Sequence, residues 1–187
     1  MQNQKKIRIH VKKSIIELVK DDITHQDTKA IVNAANNSLL GGGGVDGAIH
    51  RAAGGGLLEE CRKIGGCNTG DAKITGGYDL KAKYVIHTVG PVYKGTDDDA
   101  RLLRSAYKSS LDTAVDNGIN TISFPAISAG AYGYPAGEAA KIAIETVMKF
   151  LKENNSIELV RFVLYGDDML ETYEKQLNEQ ADGKNEC

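Results

Sequence analysis

Short apolar segments recur along the chain, and their pattern predicts a series of strands. In residues 7–11 the apolar Ile7, Ile9 and Val11 alternate with polar residues, which is the two-residue period of a half-buried strand. The other segments are short, mostly apolar and bounded by polar or turn residues, which is typical of buried strands. They cover residues 15–19, 30–34, 72–75, 83–89, 121–124 and 159–165. We therefore expect seven strands.

Amphipathic helical patterns lie between these strands. Apolar side chains share one face in residues 103–115, 139–151 and 170–177, and the first of these patterns follows three aspartates. Pro135 is expected in the first turn of the second helix, and Asp167 with Asp168 is expected to cap the third. A further helix is expected after the glycines 41–44, with its first residue one position after Asp46.

Strands that alternate with amphipathic helices indicate a three-layer α/β/α sandwich. Its central sheet is expected to be mixed and mostly parallel, with helices on both faces. Ligands of such folds bind beyond the carboxyl ends of the strands. At 187 residues the chain fits one domain. We expect this domain to cover residues 1–180, followed by a polar tail at residues 181–187.

Composition and charge exclude several classes of partner. The 23 Lys and Arg residues are balanced by 25 Asp and Glu residues, so there is no general basic surface and a nucleic-acid partner is not expected. Cys61, Cys67 and Cys187 show neither a disulfide framework nor zinc-ligand spacing. The N-terminus lacks the apolar region of a signal peptide, and no run has the length of a membrane span. We expect a cytoplasmic protein with no membrane partner.

Four consecutive glycines, 41–44, stand between a predicted strand and a predicted helix. Such a loop can bring several backbone N–H groups to one anion at the positive end of the helix, although a flexible surface turn is the alternative. The motif is not a P-loop, because no Lys-Ser or Lys-Thr pair follows it. Residues 125–135 form a second loop of small residues after a strand. Together the two loops can hold a diphosphate from both sides.

Five stretches, taken in order, resemble the MacroD-type macrodomains. They are Asp22-Ile23-Thr24, residues 31–36 (IVNAAN), residues 41–53, residues 85–91 (VIHTVGP) and residues 128–135 (SAGAYGYP). The resemblance extends over residues 15–180. That family binds ADP-ribose and includes O-acetyl-ADP-ribose deacetylases and mono-ADP-ribosyl hydrolases. The resemblance implies a macrodomain with no cofactor and no metal, whose partners are ADP-ribose, O-acetyl-ADP-ribose and mono-ADP-ribosylated proteins.

The resemblance also assigns the residues that contact the nucleotide. Asp22 would accept a hydrogen bond from the adenine amine and the Ile23 N–H would reach a ring nitrogen, although Asp22 alone is also explained as a turn residue. Asn36 would hold the distal ribose, while Asn33 is open between a substrate contact and a bond to the loop backbone. Tyr165 would lie against the adenine or, alternatively, pack in the core.

Asp46 would be the general base that activates water, assisted by Asn36. The alternatives are that Asp46 caps a helix, or that the substrate's own phosphate activates the water. The phosphates and the distal ribose would be held by backbone N–H groups and by the ring of Tyr132. These contacts involve Gly43, Gly44, Val45, Ser128, Ala129, Gly130, Ala131 and Tyr132. His50 and His87 are interpreted as structural residues.

The function implied by the resemblance is hydrolysis of acetyl or Asp/Glu-linked protein esters at the distal ribose. The alternatives are a module that reads ADP-ribose without hydrolysing it and a regulator of a ribonuclease. Four positions depart from the family pattern. Asp21 stands where many relatives have glycine, Ala129 and Ala131 stand where larger residues are common, and Gly55 stands where proline is common. Ala131 removes bulk beside the expected distal ribose and therefore bears on turnover more than on binding.

Overall fold

The computed structural model describes residues 6–183, which form seven strands and five α-helices. In chain order the elements are β1 (Ile7–Val11), β2 (Ser14–Lys20), a 3₁₀ turn (Ile23–His25), β3 (Ala30–Ala34), α1 (Gly44–Ala53), α2 (Gly55–Ile64), β4 (Ala72–Gly76), β5 (Tyr84–Thr88), α3 (Asp97–Asp116), β6 (Thr121–Phe124), α4 (Ala136–Glu153), β7 (Leu159–Leu164) and α5 (Asp167–Asp182). All seven predicted strands are present, with ends shifted by at most one residue.

The strands form one sheet in the order β1-β2-β7-β6-β3-β5-β4. The five central strands run parallel, whereas β1 pairs antiparallel with β2 and β4 pairs antiparallel with β5. Antiparallel pairing is confined to the two edges, because only there do short connections join sequential neighbours. The predicted mixed, mostly parallel sheet is confirmed.

Helices cover both faces of the sheet, which gives the predicted three layers. Residue alternation along β3 shows this directly: Val32 belongs to the large core under α3, α4 and α5, and its neighbour Ile31 belongs to a smaller core under α1 and α2. Leu103, Ile142 and Leu170 of the helices fill the large core. The observed three-layer α/β/α sandwich therefore follows from the two-residue period of the strands.

Several predicted helix ends are wrong by a few residues. Asp46 does not cap α1, because Gly43 is the N-cap and Asp46 lies within the first turn. Asp167 and Asp168 likewise lie inside α5, after Gly166. Pro135 precedes α4 as its N-cap. Acidic side chains in a first turn still face the positive end of the helix, so composition alone does not fix the first residue.

The helices differ from expectation in two further places. The helix expected after the glycine loop ends at Ala53, before Gly54 with its positive φ of 82°, and the sequence did not predict α2, which begins at Gly55. α5 continues through Asp182, so the first two residues of the predicted tail are helical, while residues 184–187 lie outside the described residues. Within residues 6–183, no helix is both long and apolar enough to cross a bilayer.

Candidate functional site

One edge of the sheet gathers the loops that the sequence singles out. β2, β7, β6, β3 and β5 are neighbours in this order and run parallel, so their carboxyl ends share that edge. Asp22 follows β2, Tyr165 follows β7, the second loop follows β6 and the glycine loop follows β3. With neighbouring strands about 4.8 Å apart, the edge from β2 to β3 spans about 14 Å. An extended ligand fits such an edge better than a compact one.

A cleft of 280 Å³ opens between the glycine loop and the second loop. Its floor includes Gly90, which follows β5. A Cβ atom at Gly90 would lie 2.2 Å from Ser128 Oγ and 2.5 Å from Ile127 Cγ2, so only glycine allows this approach. The lining consists of Ala34, Ala35, Asn36, Gly42, Gly43, Gly44, Val45, Asp46, Gly90, Ala126, Ile127, Ser128, Gly130, Ala131 and Tyr132.

Backbone N–H groups reach the cleft from the start of α1. Gly43 is the N-cap and has no side chain to accept from these groups, and the first closing bond is donated by Gly47 N–H to the Gly43 carbonyl at 3.2 Å. The preceding N–H groups therefore have no acceptor in the helix. A Cβ atom at Gly43 would meet nothing within 4 Å, so the space above it is open. This end of α1 is suited to an anion.

The second loop presents a matching set of donors. Ser128 has a positive φ of 63°, and the N–H groups of Gly133 and Tyr134 turn back to the carbonyls of Gly130 and Ser128. Among the described hydrogen bonds, none occupies the N–H groups of Gly130, Ala131 or Tyr132. The buried Ser128 Oγ also has no partner in residues 6–183. A buried hydroxyl without a partner is costly, and the three N–H groups beside it are accessible from the cleft, so this loop is suited to bind a ligand.

Asp46 forms part of the cleft wall but is only 5% exposed. Its Oδ1 accepts a hydrogen bond of 2.8 Å from Asn33 Nδ2 and lies 3.4 Å from His50 Nε2. Its Oδ2 borders Gly42, where a Cβ atom would be 3.2 Å from this oxygen. The carboxylate is therefore fixed from behind and shielded from bulk water, with one oxygen directed toward the glycine loop.

Asn33 has a different role from either one that the sequence suggested. It is completely buried, and its amide donates to the Asp46 carboxylate rather than to the loop backbone. The same Nδ2 is 3.2 Å from His87 Nδ1. Asn33 Oδ1 has no hydrogen-bond partner among the described residues. Asn33 therefore holds the Asp46 carboxylate through this bond, and its fully buried side chain is not part of the cleft lining.

His87 supports Asn33 from the opposite side. Its Nε2 is 2.9 Å from Thr75 Oγ1, which donates to the Gly76 carbonyl at 3.1 Å. Thr75 must then accept from His87 Nε2–H, which leaves His87 Nδ1 to accept from the Asn33 amide. Burial, aided by the nearby His50, lowers the pKa of His87 to about 3. The imidazole is therefore neutral, which this hydrogen-bond pattern requires.

Cys61 lies beside this network, with its Sγ 3.9 Å from His87 Nε2. Burial, together with the charges of Glu60 and Asp46, raises the pKa of the Cys61 thiol to about 11. A thiol of this kind is not a nucleophile at neutral pH. Cys61, like His87, is therefore interpreted as a structural residue.

Asn36 lines the cleft while holding the glycine loop in place. Its Nδ2 donates to the Gly41 carbonyl at 2.9 Å, and its Oδ1 accepts from the N–H and the hydroxyl of Ser38. The Nδ2 also faces Asp46 across Gly42, because a Cβ at Gly42 would be 3.4 Å from that nitrogen. One amide proton of Asn36 remains for a ligand.

Asp22 and Ile23 lie at the other end of the site, outside the cleft lining. Asp22 caps the 3₁₀ turn by accepting from the N–H and the hydroxyl of Thr24 at 2.8 and 2.7 Å. Partial burial by itself raises the pKa of Asp22, but these bonds outweigh it and the pKa is lowered. Tyr165 is 87% exposed, so its predicted alternative of packing in the core is wrong.

The cleft includes most of the residues that the sequence selected, and it adds some that the sequence did not. Ala129 is not part of the lining and instead packs against the large core. Gly42, Gly90 and Ile127 were not selected as site residues. The motif around residue 90 was visible in the sequence, but its contact with the second loop depends on the pairing of β3 with both β5 and β6.

Other surface features of the described residues are less suited to bind an anion through backbone N–H groups. A larger open groove of 470 Å³ lies between α3 and α4, lined by Arg101, Arg104, Lys108, Phe150 and neighbouring side chains. Its lining consists of long charged side chains and Phe150, and it does not include a helix start with unpaired backbone N–H groups. Residues 6–183 contain no group of three or more His, Cys, Asp or Glu side chains arranged to hold a metal ion.

Comparison with known proteins agrees with this geometry. Residues 32–143 match the family model of the Macro domain. The ADP-ribose glycohydrolase MACROD2 of Xenopus laevis is 55% identical over 177 residues, covering 91% of this chain but 42% of that protein, so the chain spans less than half of that relative. An O-acetyl-ADP-ribose deacetylase of Citrobacter koseri is 51% identical over 91% of this chain and 99% of its own length.

A solved structure of the Oceanobacillus iheyensis macrodomain with ADP extends the agreement to the whole fold. It has a TM-score of 0.94 and 40% identity, and it covers 97% of this chain and 100% of that chain. Both the sequence relatives and the structure cover the two loops of the cleft. The chain therefore belongs to the Macro domain family.

Proposed function

We propose that the sheet edge binds ADP-ribose and that the protein hydrolyses esters at its distal ribose. The esters are O-acetyl groups or bonds to protein Asp and Glu side chains. The relatives named above as an ADP-ribose glycohydrolase and an O-acetyl-ADP-ribose deacetylase support this substrate class. In this proposal the substrates are O-acetyl-ADP-ribose and mono-ADP-ribosylated proteins, and no cofactor or metal takes part.

The diphosphate would lie between the start of α1 and the second loop. The unpaired N–H groups of Gly44 and Val45 face it from one side, and those of Gly130, Ala131 and Tyr132 face it from the other. Backbone donors cost no side-chain entropy when they bind, and the positive end of α1 favours an anion. The adenine would extend toward β2, where Asp22 accepts from its amine and Tyr165 offers an exposed ring.

The chemical step would use Asp46 as a general base. Asp46 takes a proton from water as the water oxygen attacks the ester carbonyl, and the ribose oxygen leaves and receives that proton. The products are a carboxylic acid and a free ribose hydroxyl. A carboxylate is a weak base at neutral pH, so its orientation by Asn33 and its exclusion from bulk water must supply much of the rate.

One observation carries the proposal: a buried, oriented carboxylate stands beside two sets of unpaired backbone donors in one cleft. A site that only reads ADP-ribose would need the donors but would gain nothing from a buried carboxylate, which is costly to desolvate. A carboxylate 5% exposed is instead placed to act on the ligand. Oxygen atoms of the substrate diphosphate are the competing base, and the Asp46 variant below separates the two.

A second candidate, an ADP-ribose reader, is favoured by Asn36. Both acceptor positions of its amide oxygen and one amide proton are used on Ser38 and Gly41. This leaves Asn36 less free to orient the distal ribose for attack. In this candidate the cleft binds the nucleotide sugar and no ester bond is broken.

The test is release of label from an acceptor that is mono-ADP-ribosylated on Glu or Asp. The unmutated protein should release ADP-ribose, and Asp46→Asn should slow release by about 10²-fold or more, the usual contribution of a general base. Calorimetric affinity for ADP-ribose should remain in this nearly isosteric variant. Asp112→Asn is the matched control and should behave as the unmutated protein, because the Asp112 side chain is 47% exposed on α3, away from the cleft. Binding without release by the unmutated protein would support the reader.

A further inference from the structure

A buried carboxylate and two arginines lie side by side on three neighbouring strands, on the sheet face that also carries α1. Glu17 of β2 is fully buried, and the strand registers place it beside Arg8 of β1 and Arg161 of β7. Arg8 Nε donates to Glu17 Oε1 at 2.6 Å, and Arg161 Nε donates to Glu17 Oε2 at 2.5 Å. Burial alone raises the pKa of Glu17, but the two arginines outweigh it and lower the pKa. Glu17 is thus ionised and holds both cations.

This row of charges continues into the loop that follows β2. Arg161 Nη1 donates to Gln26 Oε1 at 3.1 Å, and Gln26 is only 5% exposed. Gln26 Nε2 in turn donates to Asp21 Oδ2 at 2.9 Å and to the Asp22 carbonyl at 3.0 Å. Asp21 Oδ1 accepts from the Asp22 N–H at 2.7 Å. Asp21, Gln26 and Arg161 form an unbroken chain of hydrogen bonds, here called the loop clamp.

The loop clamp holds the segment that carries Asp22 and the Ile23 N–H. The segment contains only one 3₁₀ turn of three residues, Ile23–His25, which has little rigidity of its own. The clamp closes it from both sides, because Asp21 bonds the N–H of Asp22 while Gln26 bonds its carbonyl. Glu17 fixes Arg161, so the far end of the clamp is anchored in the sheet.

We propose that the loop clamp positions Asp22 and the Ile23 N–H for recognition of the adenine base. The inference rests on the proposed function, since it assumes that the base lies at this end of the sheet edge. A pre-formed loop binds more tightly because less conformational entropy is lost on binding. Asp21 adds two of the clamp's hydrogen bonds. Asp21, Gln26 and Arg161 are therefore positioning residues for base specificity.

The experiment compares ADP-ribose with its hypoxanthine analogue, which has an oxo group where adenine has an amine. Asp22 can accept from the amine but not from the oxo group. The unmutated protein should prefer ADP-ribose by about tenfold or more, the value of one hydrogen bond to a charged group. Gln26→Ala and Asp21→Gly should each reduce this preference by about threefold or more, because a mobile loop no longer holds Asp22 in place.

Asp27→Ala is the matched control. Asp27 contacts the same Arg161 Nη1 at 3.2 Å, but its side chain is 83% exposed and it bonds neither Asp21 nor Gln26. Its loss should leave the base preference unchanged. Thermal unfolding identifies variants that do not fold, and the ratio of the two affinities is insensitive to a uniform loss of active protein.

The possible outcomes separate this inference from the function on which it rests. A base preference that is absent in the unmutated protein, or unchanged in both Gln26→Ala and Asp21→Gly, overturns the clamp while leaving ADP-ribose binding established. An equal loss of base preference in Asp27→Ala also overturns the clamp, because any loss of a contact to Arg161 would then have the same effect. If the unmutated protein binds neither nucleotide, the proposed function itself is contradicted and the clamp with it.

Discussion

Replacement of Asn33 by leucine tests whether the buried amide acts on the substrate or on Asp46. Leucine has a similar size and removes both N–H donors. The Asn33 to Asp46 hydrogen bond is 2.8 Å long, with the two residues 0% and 5% exposed. Loss of a hydrogen bond to a buried charge costs about 1.5–3 kcal/mol. At about 2–4 °C per kcal/mol for a domain of this size, the unfolding temperature should fall by about 3–12 °C.

The catalytic effect of Asn33→Leu should be larger than its effect on binding. Without the amide, the Asp46 carboxylate keeps His50 as its neighbour, with 3.4 Å between His50 Nε2 and Asp46 Oδ1. A small displacement of a reacting group can reduce the rate by about 10–100-fold. The affinity for ADP-ribose should change by less than about threefold, which is below 1 kcal/mol.

Single-turnover release of ADP-ribose from a Glu-modified acceptor and calorimetry with free ADP-ribose measure these two quantities separately. Asn37→Ala is the control, because Asn37 is an exposed asparagine that bonds Cys67 and Thr69 away from the cleft. If affinity and rate fall by the same factor, Asn33 contacts the ligand and the positioning role is wrong. An unchanged rate in a folded variant would refute the coupling to Asp46.

Three further predictions concern the base, the cleft floor and the buried histidine. In calorimetry, Asp22→Ala should lower the affinity for ADP-ribose by about tenfold, because one charge-assisted hydrogen bond is lost, and should leave the affinity for ribose 5-phosphate unchanged. Equal losses of affinity for the two ligands would contradict the adenine contact. Gly90→Ala places a Cβ 2.2 Å from Ser128 Oγ and should lower the free energy of unfolding by about 1–3 kcal/mol as well as the affinity for ADP-ribose. The control Gly130→Ala, where a Cβ meets nothing within 4 Å, should have the same free energy of unfolding as the unmutated protein. His87 has its pKa lowered to about 3, so between pH 6.5 and 3 the unfolded state binds a proton that the folded state does not. The free energy of unfolding should therefore fall as the pH drops below 6.5, by up to about 1.4 kcal/mol per pH unit. In urea unfolding at pH 7, 6 and 5, this fall should be shallower for His87→Gln than for the unmutated protein. Parallel falls in the two proteins would contradict the lowered pKa of His87.

The regular part of the fold could be predicted from sequence because each element has its own signal. Residues 121–124, between Asn120 and Pro125, have the same bounds as β6, and the period of Leu103, Ala106 and Leu111 marks α3. The start of α1 was misplaced, because aspartate is equally suited to an N-cap and to a first turn. The sequence did not predict α2, because its buried face consists of only Leu57 and Cys61 and gives a weak helical period.

The sequence predicts the two loops of the cleft but not the buried side chains behind them. Small residues beside helix starts and the family resemblance both select the glycine loop and residues 128–132, and these loops line one cleft. The bond from Asn33 to Asp46 was missed because it joins residues that only the packing of β3 against α1 brings together. The clamp from Arg161 to Asp21 was missed for the same reason, since its two ends are 140 positions apart in the chain.

A crystal structure of the protein with ADP-ribose bound tests the central claim most directly. We predict that the diphosphate lies between the start of α1 and the 128–132 loop, with the distal ribose within hydrogen-bond distance of the Asp46 carboxylate. A ligand in the groove between α3 and α4, or a distal ribose turned away from Asp46, would contradict the account.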